Sequence, residues 1–322
     1  MSDERNKTST LVYQRYLVAV SEERVIGALQ QLEDSLPEVL RELSNSLVHN
    51  VRALVASATI PFHLASSAVG SERFQQLHIA ERLRAKAECE RSGEETEGFL
   101  SPEAELRAYE RAGEKLKAEL EGSELVEKLW RYLLDAYETE AFAIGARELL
   151  RQASILTWGM FEVLARDLLR VYLNGRPRAA VDLARDPTAK GHFNFKDIDI
   201  ETIAEFGFDL STKMGEVVTS ANDLSKIESI RAVYRALVGE HEGVASTLSD
   251  GRLWKLCQTR HLMVHRRGIA DPRFVRATGS DLAVGDPVYV TPDELESYIE
   301  AVVRAGAAML SAVAALFNSD AA

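Results

Sequence analysis

Asp250-Gly251-Arg252-Leu253-Trp254-Lys255-Leu256-Cys257-Gln258-Thr259-Arg260-His261-Leu262-Met263-Val264-His265-Arg266-Arg267-Gly268 reads as one amphipathic helix with a defined stop. At about 100° per residue, Leu253, Leu256, Cys257, Met263 and Val264 share one face. Gly268 stands where a left-handed C-terminal residue closes a helix. Arg260 falls inside the apolar stripe, and His261 and His265 lie together on its edge beside Trp254. A surface arginine would sit opposite that stripe, because a buried guanidinium is costly without an anion. Arginine binds phosphate and histidine moves protons near neutral pH, so the trio has the chemistry to cleave RNA without a metal.

An anion is available. A helical pattern runs from about Glu138 to Leu173, ended by Asn174-Gly175-Arg176-Pro177. Ile155, Trp158, Phe161, Ala165, Leu168 and Leu169 form its stripe, and Glu162 lies within it. Glu162 is therefore expected to face Arg260. Two roles are open for the pair: support of a phosphate-binding arginine, or a clasp that only fixes helix packing.

The rest of the chain extends the helical reading to an all-α fold. Residues 1–10 read as disordered and 11–135 as a helical N-terminal region, a sensor, an arm or an oligomerisation element. Residues 136–322 form a C-terminal helical bundle. Ser35 and Glu38 suggest a capping box before a coiled-coil-like stripe of Leu36, Leu40, Leu43, Leu47, Val51 and Leu54. Pro61 is expected to end that helix and Ser71 to cap the next, which carries Phe74, Leu77 and Leu83. Gly93 and the acidic Glu94-Glu95 should break it, and Ser101-Pro102 opens another helix with Leu106, Tyr109, Leu116 and Leu120 on one side. Gly122-Ser123 restarts a helix carrying Leu125, Leu129 and Leu133. Further on, residues 178–210 are irregular with short helical pieces, and Asp223 to Val238 is helical with Gly239 as its stop. Val288-Val290 suggests a short strand, and Thr291-Pro292-Asp293-Glu294 starts a last helix reaching about Phe317.

Composition narrows the function classes. The net charge of −12 over 322 residues argues against broad nucleic-acid binding but leaves room for a small basic site. The two cysteines, Cys89 and Cys257, support neither a disulfide framework nor a zinc site. The polar Met1–Thr10 is unlike a signal peptide, and no apolar run is read as a membrane span, so a cytoplasmic protein without membrane contact is expected. No cofactor motif is present. His49, His63, His78, His192 and His241 have no metal-ligand spacing, and Asp281 and Asp286 read as turn residues.

An arginine followed by histidine after four to six residues occurs four times: Arg73/His78, Arg185/His192, Arg235/His241 and Arg260/His265. The second spans Pro187 and Gly191, the third crosses the stop at Gly239, and the first lacks a following basic cluster. The fourth ends a well-patterned helix and continues into Arg266-Arg267-Gly268.

Ser154-Ile155-Leu156-Thr157-Trp158-Gly159-Met160-Phe161-Glu162, the Arg260–Asp271 stretch and a Gly285-Asp286 turn before a final amphipathic helix together resemble the HEPN superfamily of all-helical domains, over about residues 140–318. His261 takes the polar slot of that family's Arg-polar-x3-His pattern. The resemblance implies a metal-independent endoribonuclease of bacterial defence, toxin or stress response. Arg260, His265 and His261 would be catalytic, Glu162 supporting, and Arg266 and Arg267 RNA-binding. It also implies a homodimer with a composite site and an antitoxin or regulatory partner. Non-catalytic members of the superfamily imply the alternative, a binding or scaffold module.

Overall fold

A computed structural model describes residues 22–92, 100–121, 127–129, 131–133, 135, 140–192, 200–220, 222 and 224–319. Among these residues the protein is all-α. The expected disorder of residues 1–10, the break at 93–95, Gly122-Ser123, Leu125 and Asp223 lie outside the described residues.

The helices are α1 (Glu22–Gln30), α2 (Glu38–Ser92), α3 (Pro102–Leu120), α4 (Glu140–Gly175), α5 (Ala179–Arg185), α6 (Ile200–Glu205), α7 (Met214–Ser220), α8 (Ile227–Val238), α9 (Glu242–Leu248), α10 (Gly251–Arg266), α11 (Pro272–Thr278) and α12 (Pro292–Ser319). The chain divides into two compact units. The first comprises residues 1–17 and 59–146, the second 18–58 and 147–322. These lines fall elsewhere than a cut at 135/136. Leu36, Leu40, Leu47, Val51 and Leu54, read from sequence as an arm, belong to the same core as Trp158 and Phe161.

In the second unit, α12 packs against α1, α8, α9 and α10. It buries large side chains such as Ile299, Val302 and Leu310 together with small ones, and at Gly306 the approach is close: a Cβ there would come within 2.9 Å of both Leu164 and Leu47. Its start is a complete capping box, with the Glu294 amide donating to Thr291 Oγ1 (3.2 Å) and the Thr291 amide donating to Glu294 Oε2 (3.0 Å). Tyr234 of α8 is fully buried and donates its hydroxyl to the Ala165 carbonyl of α4 at 2.7 Å. Desolvation raises that phenol's pKa well above its ordinary value, so it stays a donor.

The first unit has an alanine-faced core. Ala104, Ala108 and Ala112 of α3 are buried, while Leu106, Tyr109 and Leu120, expected on its inner side, are more than half exposed. The anticipated start holds, since Ser101 Oγ accepts from the Ala104 amide at 3.2 Å with Pro102 in the first turn. Glu81, 2% exposed, is held by Lys115 and Arg84. The hydrogen bond from Lys115 keeps its carboxyl pKa below the ordinary range despite burial.

Several local expectations are corrected. Pro61 does not end a helix: α2 runs through it, and Gly70 and Ser71 lie in its interior. Proline in a helix interior costs about 3 kcal/mol. Here, packed turns on both sides, Leu47, Val51 and Leu54 before it and Leu77 and Ala85 after it, offset that loss. Leu83 is 65% exposed rather than inward. The Ser35 hydroxyl donates to the Leu32 carbonyl instead of capping α2. Val288-Val290 forms no strand. The segment is fastened by a single bridge, Ile269 to Pro287, because its partner leaves immediately into α11. Two helices, α2 and α12, are long and apolar enough by composition to cross a membrane, which the sequence reading did not allow for. The apolar window of α12 is 67% buried within the protein, as a core helix would be.

Gly215 opens α7 against the end of α4. A Cβ there would lie 2.0 Å from the Arg170 carbonyl oxygen, and the Gly215 amide donates to Asn174 Oδ1 at 2.7 Å. Backbone cannot yield as a flexible side chain does. Gly215→Ala should therefore cost about 1–3 kcal/mol, read as a lower urea midpoint. Gly113→Ala, in α3 with nothing within 4 Å, should stabilise by about 1 kcal/mol.

Candidate functional site

The site is organised by α10. Asp250 caps it, accepting from the Arg252 amide at 2.9 Å. Leu253, Leu256, Cys257 and Met263 enter the main core of the second unit, while Leu262 joins a smaller cluster with Ala270 and Phe274. Sequence patterning placed Val264 inward and passed over Leu262. The helix is in fact gripped on two sides, and Val264 is 47% exposed. Met263 meets Ser154 of α4 at 3.6 Å, whereas Glu162 raises and Arg260 lowers the pKa of Cys257, so α10 runs opposite to α4. Burial dominates and pushes that thiol up.

Arg267 has φ +56° and Gly268 φ +76°. The amides of both residues turn back to the Leu262 carbonyl, ending the helix just past His265. The left-handed turn begins one residue earlier than Gly268, on an arginine. The chain then returns at once through Asp271, whose carboxylate accepts from the Phe274 amide at 2.7 Å and starts α11.

The rotation so fixed places the expected residues as follows. Arg260 is partly buried, 27% exposed, and its guanidinium lies 4.0 Å from Glu162 Oε2 on α4. The two do face each other, at the outer limit of an ion pair. Among the described residues neither makes a hydrogen bond, so the arginine's donors are uncommitted. Arg260 also lines a groove of about 430 Å³ with Leu54 and Ser57 of α2 and Leu156, Gly159 and Met160 of α4. His261 and His265 are exposed on the last turns, with ring centroids 4.8 Å apart. Arg266 and Arg267 are exposed beyond them, Arg266 lying 3.9 Å from Asp271.

Two residues that the sequence reading did not single out complete the surroundings. Partial burial lowers the His261 pKa below its ordinary value, and the nearby His265, Arg273 and Arg260 push the same way, against Asp271. Asp271 is itself held low, chiefly by the hydrogen bond from the Phe274 amide. The Asp271-Pro272 pair was a readable helix start, and it would have folded Arg273 back toward His261.

The other three arginine–histidine pairs have structural employment. Arg73 binds Glu119 at 2.7 Å through Nε, and His78 approaches Glu105 at 3.5 Å. His192 Nδ1 lies 3.3 Å from Ser229 Oγ. Arg235 pairs with Glu240, and His241 caps α9 by accepting from the Val244 amide. Asp286 is a turn residue as read, accepting from the Ala283 amide at 2.9 Å.

No known protein family, characterised protein or solved structure matches the chain. The chemistry must therefore be argued from the side chains. They offer the partly buried Arg260 guanidinium with its donors uncommitted, and two adjoining imidazoles, one of them biased toward its neutral form.

A loose ion pair with both partners a fifth or more exposed contributes about 0–1 kcal/mol. Arg260→Gln should accordingly shift stability by less than about 1 kcal/mol in urea melts. A tight buried clasp would instead lose about 3–5 kcal/mol. The pH dependence has a definite sign. The folded chain disfavours the charged His261 ring, so the unfolded chain binds that proton more readily. Its contribution is fully present above the ordinary histidine value of about 6.5 and is lost as pH falls below it. His261→Gln should flatten this part of the stability profile.

Proposed function

We propose that the protein is a metal-independent endoribonuclease of the HEPN type, acting through Arg260, His261 and His265. The observation that carries this reading is the uncommitted Arg260 guanidinium, one residue from His261, with His265 about one turn beyond His261 on the same helix. A structural arginine is normally spent on hydrogen bonds to its anion. This one is held near a carboxylate without being satisfied by it, as a group awaiting a phosphate would be.

The chemistry follows from the residue types. The RNA 2′-OH attacks the adjacent phosphorus and expels the 5′-oxygen, leaving a 2′,3′-cyclic phosphate and a 5′-OH. His261, favoured in its neutral form, accepts the proton of the attacking hydroxyl. His265 donates a proton to the leaving oxygen. Arg260 holds the non-bridging oxygens and offsets the charge they gain. Glu162 keeps the guanidinium oriented from behind without occupying its donors. Arg266, Arg267 and Arg273 offer cationic contacts to the RNA backbone at the otherwise acidic protein's one motif-bearing helix end. Within this reading a second copy completes the site as a homodimer, and an antitoxin or regulatory partner restrains it in the cytoplasm.

The alternative is a scaffold module of the same type that binds a protein partner and never cuts. The apolar groove beside Arg260, with Leu156 61% exposed on its wall, is the feature that favours it.

Purified protein incubated with total RNA in excess EDTA decides between them. Cleavage should occur, spare matched DNA, and fall at least about 100-fold in His265→Ala. Arg260→Lys should also fail, because a point charge cannot reproduce bidentate phosphate contact. The acid limb of kcat/KM should lie below the ordinary histidine value of about 6.5. Wild-type cleavage rates in His265→Ala would remove the assignment, and absence of cleavage with retained partner capture would favour the scaffold.

A further inference from the structure

On another side, α10 walls a second cavity, of about 340 Å³, closed by α11, the 279–290 segment and α12. That volume is within the range of small-molecule sites, about 300–1,000 Å³. Phe274 and Val290 give it apolar walls, and four hydroxyl-bearing residues, Thr259, Thr278, Ser280 and Tyr298, line it. Thr259 and Tyr298 are each 2% exposed and are hydrogen-bonded to one another. The Thr278 hydroxyl donates to the Phe274 carbonyl and so can still accept. The Ser280 oxygen accepts from the Leu282 amide, and its O–H remains a donor.

The charges around the cavity exclude an anionic ligand. Its lysine, Lys255, is bound to Glu294 at 2.7 Å, and the Asp281 carboxylate stands at the rim. The favoured occupant is flat, neutral and rich in N–H groups, which a carboxylate can accept. Tyr289 supplies a surface for it. This side chain lines the cavity, is 56% exposed, and carries the Arg147 guanidinium 5.0 Å over its ring. An exposed tyrosine with an arginine on its ring is a stacking platform for a nucleobase.

We propose that this cavity is a nucleobase subsite, taking a base with an exocyclic amino group against Tyr289, its edge read by the hydroxyls and Asp281. Carboxylates accept from such amino groups as they do from cytosine N4. The link to RNA rests on the endoribonuclease reading above. Thr259 adjoins Arg260 in the chain, and six residues of helix, about 9 Å, separate Thr259 from His265. A base beside the scissile phosphate could reach this pocket while its backbone crosses the motif. The same chemistry is offered by a free nucleoside, and the experiment distinguishes the two.

The full chain carrying His265→Ala is titrated with cytidine, adenosine, guanosine and uridine, with binding read by saturation-transfer NMR and calorimetry. Saturable binding of the amino-bearing nucleosides is expected, with uridine weaker. Tyr289→Ala, which removes an exposed side chain and leaves the core intact, should weaken binding about tenfold. Thr259→Val should weaken it as well. No saturable binding, binding unchanged in both variants, or uridine bound as tightly as cytidine overturns the proposal. Cleavage-site mapping on a random RNA pool with otherwise wild-type protein then separates the sources. A base preference that Tyr289→Ala abolishes while cleavage persists places the base in the RNA. Nucleoside binding without cleavage of any RNA removes the endoribonuclease reading and leaves a site for a free nucleoside. Cleavage without nucleoside binding or base preference removes the subsite and leaves the endoribonuclease.

Discussion

The grip on α10 from two apolar clusters is the constraint on which the site depends. Leu253, Leu256 and Met263 are drawn into the main core, and Leu262 into the small cluster with Ala270 and Phe274. Either cluster alone would leave the helix some freedom to roll about its axis. Both together fix its rotation, since a roll that improved one contact would open the other to water. Arg260 is thereby held part-way into the core, and the two histidines are left at the surface. The same rotation turns Thr259 into the neighbouring cavity.

The all-α architecture was legible because patterning, caps and stops agreed along most of the chain. The stripe of α4, the Ser101 and Thr291 starts and the Gly175 and Gly239 stops are local signals and were read correctly. Failures came where tertiary contact overrode a local rule. Pro61 is a helix breaker by itself, yet it sits within a 55-residue helix packed before and after it. The inner face of α3 is alanine rather than leucine, and a hydrophobicity pattern that weights the larger side chains points to the wrong face. Val264 and Leu262 were exchanged for a related reason: a single-stripe wheel has no place for a second cluster on the helix's other side.

At the site, the sequence identified the groups but not their state. It placed Glu162 opposite Arg260, and the two do meet. It could not tell a satisfied clasp from an approach at 4.0 Å, which depends on how far apart the surrounding side chains hold the two backbones. That Arg273 and Asp271 act on His261 follows from the turn after Gly268, for which Asp271-Pro272 was the readable signal. The bias of His261 toward its neutral form is likewise a product of folding rather than of residue type.

The turn beyond the motif has a further consequence. The Ala270 amide donates to the Asp286 carbonyl at 2.8 Å, the Gly285 amide to the Ala270 carbonyl at 2.9 Å, and the Val288 amide to the Gly268 carbonyl at 2.8 Å. These bonds tie the end of α10 to a segment that contributes little regular structure of its own. The last helical turn and the 285–288 segment therefore form one cooperative opening unit. Their amides would exchange with solvent together, at a rate set by the weaker of the two, so the breathing of a surface loop becomes the clock for the end of α10.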